Sequence, residues 1–296
     1  MSGAARRTVT VTVPATSANV GPGFDALGLA LELRDEIVVE VVPDAAEPVV
    51  VEITGEGDDD LPRDASHLVV ATMRRVARAA GADLPPVLLR CTNRIPHGRG
   101  LGSSAAATTA GVLAARALLD LDLDDPAALQ LASDIEGHPD NAAACLLGGV
   151  TVAWSQTGQV RALRLDPADE LCARVYVPAQ RLATAEARGL LPATVPFADA
   201  AHNAARSALL SAALTTSPGL LFPATDDRLH QHYRARAMPE TLELVHRLRA
   251  AGTAAVVSGA GPSVLVLSAG RPAAVPTPAG WRVLDLEVAP IGAVVT

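Results

Sequence analysis

Residues 95–107 read Ile-Pro-His-Gly-Arg-Gly-Leu-Gly-Ser-Ser-Ala-Ala-Ala and run into an alanine-rich stretch ending near Leu119. Pro96 closes the extended segment before it, and Gly98, Gly100 and Gly102 admit backbone conformations that a side chain would oppose. Ser103 or Ser104 is placed to cap the first turn of a helix. Such a loop delivers unpaired backbone N–H groups and the positive end of a helix dipole to one point, where an anion such as a phosphate fits. Glycine turns also precede helices for purely structural reasons, so the loop alone leaves both readings open.

The chain contains no lysine, and all 24 of its basic residues are arginine. A Walker-type loop needs a lysine against the terminal phosphates and a protein kinase needs one on its third strand, so both templates are excluded. Phosphate held by this loop has to be held through backbone, serine and Mg²⁺. Other polar residues stand in short dense runs. Ser17, Asn19 and Asp25 lie in Pro14-Ala-Thr-Ser-Ala-Asn-Val-Gly-Pro-Gly-Phe-Asp25, where taken alone they are ordinary turn residues. Glu136-Gly-His-Pro-Asp-Asn141 groups two carboxylates, an imidazole and an amide. Arg188 lies in Thr184-Ala-Glu-Ala-Arg-Gly-Leu-Leu-Pro192 and Arg234 ends Asp227-Arg-Leu-His-Gln-His-Tyr-Arg234. By themselves these arginines read as surface charges. Ser258-Gly-Ala-Gly-Pro-Ser263, with Gly261, is either a tight hairpin or a place where backbone approaches a ligand.

The string Pro96-x-x-x-Gly100-Leu101-Gly102-Ser103-Ser104-Ala105-Ala106 resembles the central phosphate-binding motif of the GHMP kinases. The run 14–25, with Thr16 a mild departure, resembles the first motif of their homoserine kinase branch. Glu136–Asn141 and the segments around Arg188 and Arg234 resemble other segments of that branch, and the 258–263 turn resembles the third motif of the family. The resemblance implies an α+β, two-domain GHMP kinase fold. Residues 1–165 would form a mixed sheet-and-helix nucleotide domain, and 166–296 a ferredoxin-like α/β domain. It implies ATP and Mg²⁺ as cofactors, L-homoserine as the small-molecule substrate, transfer of phosphate to its side-chain hydroxyl, and a homodimer. Pro96, Gly98, Arg99, Gly100, Leu101, Gly102, Ser103, Ser104, Ala105 and Ala106 then carry the nucleotide. His67 meets the base, where the branch usually has asparagine. Ser103 and Glu136 ligate Mg²⁺. Asn19, Asp25 and His138 hold the ammonium and hydroxyl end of the substrate, Arg188 and Arg234 take its carboxylate, and Gly261 lies against it. Asp140 and Asn141 stand where relatives place catalytic groups. Asn141 is expected to orient the hydroxyl, with the proton leaving through the phosphate or solvent. Two other readings are a GHMP kinase for a different small alcohol, which His67 and His232 would permit, and a non-catalytic metabolite-binding relative.

The elements needed to present these runs are legible in outline. Thr8 to Val13 alternates as a strand. Ile37–Val42, Pro48–Ile53, Val87–Cys91, Gly148–Trp154, Val160–Leu165 and Leu171–Pro178 read as further strands, and Ala254–Leu267 as a strand, turn and strand. Helices are expected over Ser66–Ala80, after the glycine loop, from Pro126 to Glu136, over Asn203–Leu214 and over Glu240–Ala251. Two prolines and two glycines predict no regular structure between Pro14 and Asp25.

Half of the residues are hydrophobic (49%) but only 2% aromatic, so Ala, Val and Leu have to build the core. A net charge of -8 and a pI near 5.3 exclude a general nucleic-acid surface. Cys91, Cys145 and Cys172 fit no disulfide framework or metal spacing and read as free thiols. With no signal-peptide core and no membrane-spanning stretch, a soluble cytoplasmic protein is expected.

Overall fold

The computed structural model describes residues 7–43, 45–271 and 275–296. Its first sheet begins with β1 (Thr8–Ala18), in which Val9, Val11 and Val13 point into the core as the alternation predicts. The strand continues past Pro14, contrary to expectation. Its register against β2 (Leu27–Val41) jumps between Pro14 and Ala15, and a proline is tolerated at such an irregularity because no ladder hydrogen bond is asked of it. Only 19–26 remains as loop. β3 (Val49–Gly55) runs parallel to β4 (Val87–Asn93), with α1 (Leu68–Ala79) between them.

Helices α2 (Ser103–Leu118), α3 (Asp125–Glu136) and α4 (Asp140–Leu147) follow, and then the antiparallel ribbon β5 (Val150–Gln156) and β6 (Gln159–Leu165). The strand order is β3-β4-β2-β1, with β5 joining the early half of β2. Helix α2 packs on β1 and is flanked by α1 and α3. Its residues from Ala105 to Ala115 are nearly all buried, as a poly-alanine face laid between layers requires.

The second sheet is opened by β7 (Leu171–Val177). Helices α5 (Thr184–Gly189), α6 (Phe197–Thr215), α7 (Leu221–Ala224) and α8 (Pro239–Ala250) precede β8 (Ala254–Val257), β9 (Val264–Ala269) and β10 (Arg282–Glu287). The order β10-β7-β9-β8, antiparallel throughout, is the fourth-first-third-second arrangement of a ferredoxin-like sheet. Among the described residues, no helix crosses from β9 to β10. The final strand, β11 (Val294–Val295), returns to pair with β1 of the first sheet. Small residues fill the core as composition demands, and among the described residues Tyr176 is the one fully buried Phe, Trp or Tyr. Cys91, Cys145 and Cys172 are free, and burial pushes the Cys91 and Cys145 thiols up to about 12.

The loops that carry the polar runs meet at one end of both sheets and are tied by backbone. Thr16 N–H donates to Leu101 O at 3.0 Å and Gly259 N–H to Ala18 O at 3.1 Å. Leu182 N–H donates to Gly98 O at 2.9 Å, and the Ser258 hydroxyl donates to Gly100 O at 2.6 Å. Four segments far apart in sequence therefore share one hydrogen-bonded seam.

Candidate active site

The β4–α2 loop forms one wall. Gly98, Gly100 and Gly102 have φ of 65°, 70° and 71°, which L side chains rarely adopt. A Cβ on Gly100 would strike the Ser258 carbonyl and one on Gly102 the Thr16 hydroxyl. Neither serine caps α2. The N-cap is Gly102, with no side-chain hydrogen bond to the first turn. The helix therefore starts with free N–H groups facing the cavity, which is the arrangement a phosphate needs. Leu101 and Ala106 are fully buried and Pro96 is buried as well, so these three shape the loop from beneath. Arg99 borders the cavity, and its guanidinium donates to the carbonyls of Pro178, His97 and Ala179, each at 2.9 Å.

Ahead of this loop, a cavity of about 350 Å³ is lined mainly by apolar side chains together with His67, His97 and Asp35. His67 is 4% exposed and its Nδ1 has no partner, and His97 Nε2 is likewise unpaired. Burial lowers both imidazoles below their ordinary value, which favours the neutral ring. An apolar slot with unpaired ring nitrogens suits a heteroaromatic base. It shares Leu68, Gly98, Ser103 and Ser104 with a second cavity of about 570 Å³ that holds the remaining polar runs.

In that second cavity, Glu136 ends α3 where Gly137 adopts the left-handed cap. Its Oε1 accepts from Ser104 at 2.9 Å and from Thr108 at 2.6 Å. The hydroxyl that reaches Glu136 is thus that of Ser104, while Ser103 opens α2 and lines both cavities. One carboxylate among hydroxyls is an all-oxygen donor set, and it fits Mg²⁺, which is held by one or two protein groups besides phosphate and water. Among the described residues, no cluster of three or more His, Cys, Asp or Glu offers a protein-only cage.

At the start of α4, Asp140 Oδ1 accepts from Asn141 N–H at 2.8 Å and faces His138 Nδ1 at 2.9 Å. This hydrogen bond raises the His138 pKa above its ordinary value. Asn141 Oδ1 accepts the Thr16 hydroxyl at 2.8 Å, which turns its amide N–H₂ group the other way. Thr16, at 0% exposure, is thus tied to Asn141, though a reading of the sequence passes over it as a departure from pattern.

Opposite lies the loop after β1. Asn19, Val20 and Asp25 have φ of 66°, 47° and 55° within seven residues. Backbone strain this concentrated is characteristic of functional loops. Asn19 is itself a brace, since its Nδ2 donates to Gly259 O and its Oδ1 accepts from Asp25 N–H, both at 2.9 Å. Asp25 is held in a two-pronged pair by Arg188 of α5. Arg234, 1% exposed, follows a short turn, and burial, with Arg188 nearby, lowers its guanidinium to about 10. Gly261 closes the wall from the β8–β9 turn. The cavity brings together the phosphate loop, Glu136, His138, Asp140, Asn141, Asn19, Arg188 and Arg234, with Asp25 against Arg188. Besides Thr16, the buried His230 and the unpaired His97 join the site without standing out in the sequence. The signal for His230 was its place in the run ending at Arg234.

A strained amino-terminal loop, a glycine loop that starts a buried helix, and a ferredoxin-like second sheet define a GHMP kinase. Models of that family match at residues 67–149 (GHMP kinases N terminal domain) and 200–275 (GHMP kinases C terminal). The homoserine kinase of Streptomyces avermitilis is 56% identical over 263 residues, which cover 88% of this chain and 85% of that protein. The homoserine kinase of Corynebacterium glutamicum is 47% identical over 96% of this chain and 94% of its own. The crystal structure of homoserine kinase from Cytophaga hutchinsonii superposes with a TM-score of 0.81 at 27% identity, over 98% of this chain and 97% of the other. Mevalonate diphosphate decarboxylase from Staphylococcus aureus, at 17% identity and a TM-score of 0.68 over 99% of this chain and 98% of the other, shares the fold. The chain belongs to the homoserine kinase family, and is an ATP-using kinase of a small molecule.

Proposed function

We propose that the chain transfers the γ-phosphoryl group of ATP to the side-chain hydroxyl of L-homoserine, giving O-phospho-L-homoserine for threonine biosynthesis. The observation that carries this reading is the placement of Arg188, Arg234 and Asp25 beside the phosphate loop. Two guanidiniums and a carboxylate suit the carboxylate and ammonium of a zwitterionic amino acid, and a neutral sugar or alcohol has no charge to set against them. Adenine lies in the slot with His67 and His97, and the loop N–H groups take the phosphates. Glu136 with Ser104 or Ser103 holds Mg²⁺, which when bound offsets charge on the transferred phosphate. His138 and Asn141 orient the hydroxyl, and Asp140 fixes both of them. With little covalent chemistry for side chains to perform, positioning and charge complementarity supply most of the rate.

On this reading residues 1–165 carry the nucleotide and 166–296 supply the two arginines, and the protein acts as a cytoplasmic homodimer. No helix among the described residues is long and apolar enough to cross a membrane. The test is ADP release with L-homoserine, D-homoserine, L-serine, L-threonine, galactose and mevalonate, each with Mg²⁺ and with EDTA. Turnover confined to L-homoserine and abolished by EDTA is expected. Metal-dependent turnover of a different alcohol discards the substrate, and inactivity with all six discards the reading.

A further inference from the structure

His230 is completely buried, lies four residues before Arg234, and touches two parts of the site at once. Its Nε2 is 2.8 Å from the carbonyl of Gly21, in the strained loop that carries Asp25, and its Nδ1 is 3.0 Å from Arg234 Nη1. A carbonyl can only accept and a guanidinium can only donate. The single proton of the ring therefore sits on Nε2, and the Nδ1 lone pair receives Arg234. An imidazolium would set N–H against N–H at this contact, so geometry admits the neutral ring alone. The groups around it agree. Burial drives the imidazole below its ordinary value, while Asp227 acts in the opposite sense and Arg234 in the same.

The ring is also fixed in place. Asp227, whose side chain is fully buried, accepts N–H groups from Leu229, His230 and Gln231 at 3.0, 3.2 and 2.9 Å, and the Asn203 amide at 3.1 Å. Phe24 packs on the imidazole at a tilt of 31° with centroids 5.1 Å apart, and the same phenyl lies 5.7 Å from Arg234 and 5.8 Å from Arg188.

We infer that His230 is the positioning residue of the carboxylate half-site: a neutral imidazole that aims Arg234 by accepting its N–H and anchors the Asp25 loop through Gly21. It does not touch the substrate. The inference rests on the proposed homoserine kinase reaction, since it assigns how one substrate-binding arginine is held.

Two amide variants separate the ring's functions. His230→Asn keeps an acceptor near the Nδ1 position and loses the reach to Gly21, whereas His230→Gln reaches Gly21 and offers nothing to Arg234. Kinetics of the full-length protein are measured with L-homoserine and ATP varied in turn. A lost hydrogen bond to a charged group corresponds to about a tenfold or larger change in affinity. His230→Gln should accordingly raise KM for L-homoserine by about tenfold or more, with kcat and KM for ATP within about threefold of wild type. His230→Asn should raise KM less, by no more than about fivefold, because the hydrogen bond it loses, to Gly21, joins two neutral groups. Equal effects of the two variants overturn the inference, as does a loss that falls on kcat or on KM for ATP. If His230→Gln does not melt cooperatively, a folded His230→Asn with KM raised more than about tenfold overturns it alone. A wild-type protein silent with L-homoserine would instead remove the functional reading beneath it.

Discussion

Arg188 and Asp25 occupy each other: Nη2 and Nη1 of the arginine lie 2.6 and 3.0 Å from the two carboxylate oxygens, joining α5 to the strained loop after β1. Both side chains are about one-third exposed, so water reaches the pair and its net stabilisation is small. An α-amino acid brings a carboxylate for the arginine and an ammonium for the aspartate. On the proposed function, its arrival replaces one internal pair by two intermolecular ones.

Removing one partner should be read in KM. Asp25→Asn deletes the charge that answers the substrate ammonium, and KM for L-homoserine is expected to rise about 10- to 100-fold with KM for ATP within about threefold. Arg188→Met should act similarly. Because each variant also strips the other residue of its partner, the double variant should cost less than the sum of the two singles. Strict additivity in this cycle would show that the two residues act independently on the substrate.

Thr16 and Asn141 are 125 residues apart and share one hydrogen bond of 2.8 Å. If that bond aims the Asn141 amide at the reacting hydroxyl, Thr16→Ser should keep activity. Thr16→Val, nearly the same shape without the hydroxyl, should lower kcat about tenfold or more and leave both KM values within about threefold. A Thr16→Val enzyme with unchanged kcat would reduce the contact to packing.

The family resemblance gives Arg99 to the nucleotide, and its guanidinium donates to carbonyls of Pro178 and Ala179 just past β7 and of His97 in its own loop. Arg99→Met is therefore expected to cost about 1–2 kcal/mol of stability in thermal or urea unfolding, while KM for ATP changes by less than about threefold. A large rise in KM for ATP with unchanged stability would return the side chain to the phosphates.

What the sequence disclosed about this site follows the range of the interactions. The glycine loop, the helix behind it and the helix from Pro126 to Glu136 are set by neighbours a few residues away, and their positions agree with the structure to within a few residues. The serine cap did not, because Gly102 in the left-handed region already turns the chain into α2. The early half of β2 escaped notice because Leu27–Leu31 is buried throughout, which erases alternation. Strand β11, two residues long, has no pattern to read. The Arg188–Asp25, Thr16–Asn141 and His230–Gly21 contacts join residues more than a hundred positions apart, and only the tertiary seam brings them together.

Asp35 offers a test by pH. It is 5% exposed, and its Oδ1 accepts Arg94 N–H at 2.6 Å and Ile95 N–H at 2.9 Å, holding the chain as it leaves β4 for the phosphate loop. Burial raises its carboxyl to about 6, against the lowering effect of those two N–H groups. A carboxyl raised in the folded state binds its proton more tightly there than in the unfolded chain. Its contribution is therefore fully present below about pH 4 and is lost as pH rises through about 6. A shift of about two units corresponds to roughly 3 kcal/mol as an upper bound. Asp35→Asn retains an acceptor oxygen for both N–H groups and carries no charge to bury. Urea unfolding of wild type and variant should show the stability difference shifting in favour of Asp35→Asn between pH 4 and 7, by about 1–3 kcal/mol, and then levelling off. A difference independent of pH over that range would mean that Asp35 is already ionised without penalty, and that the strand end is held by the charge as well as by the oxygen.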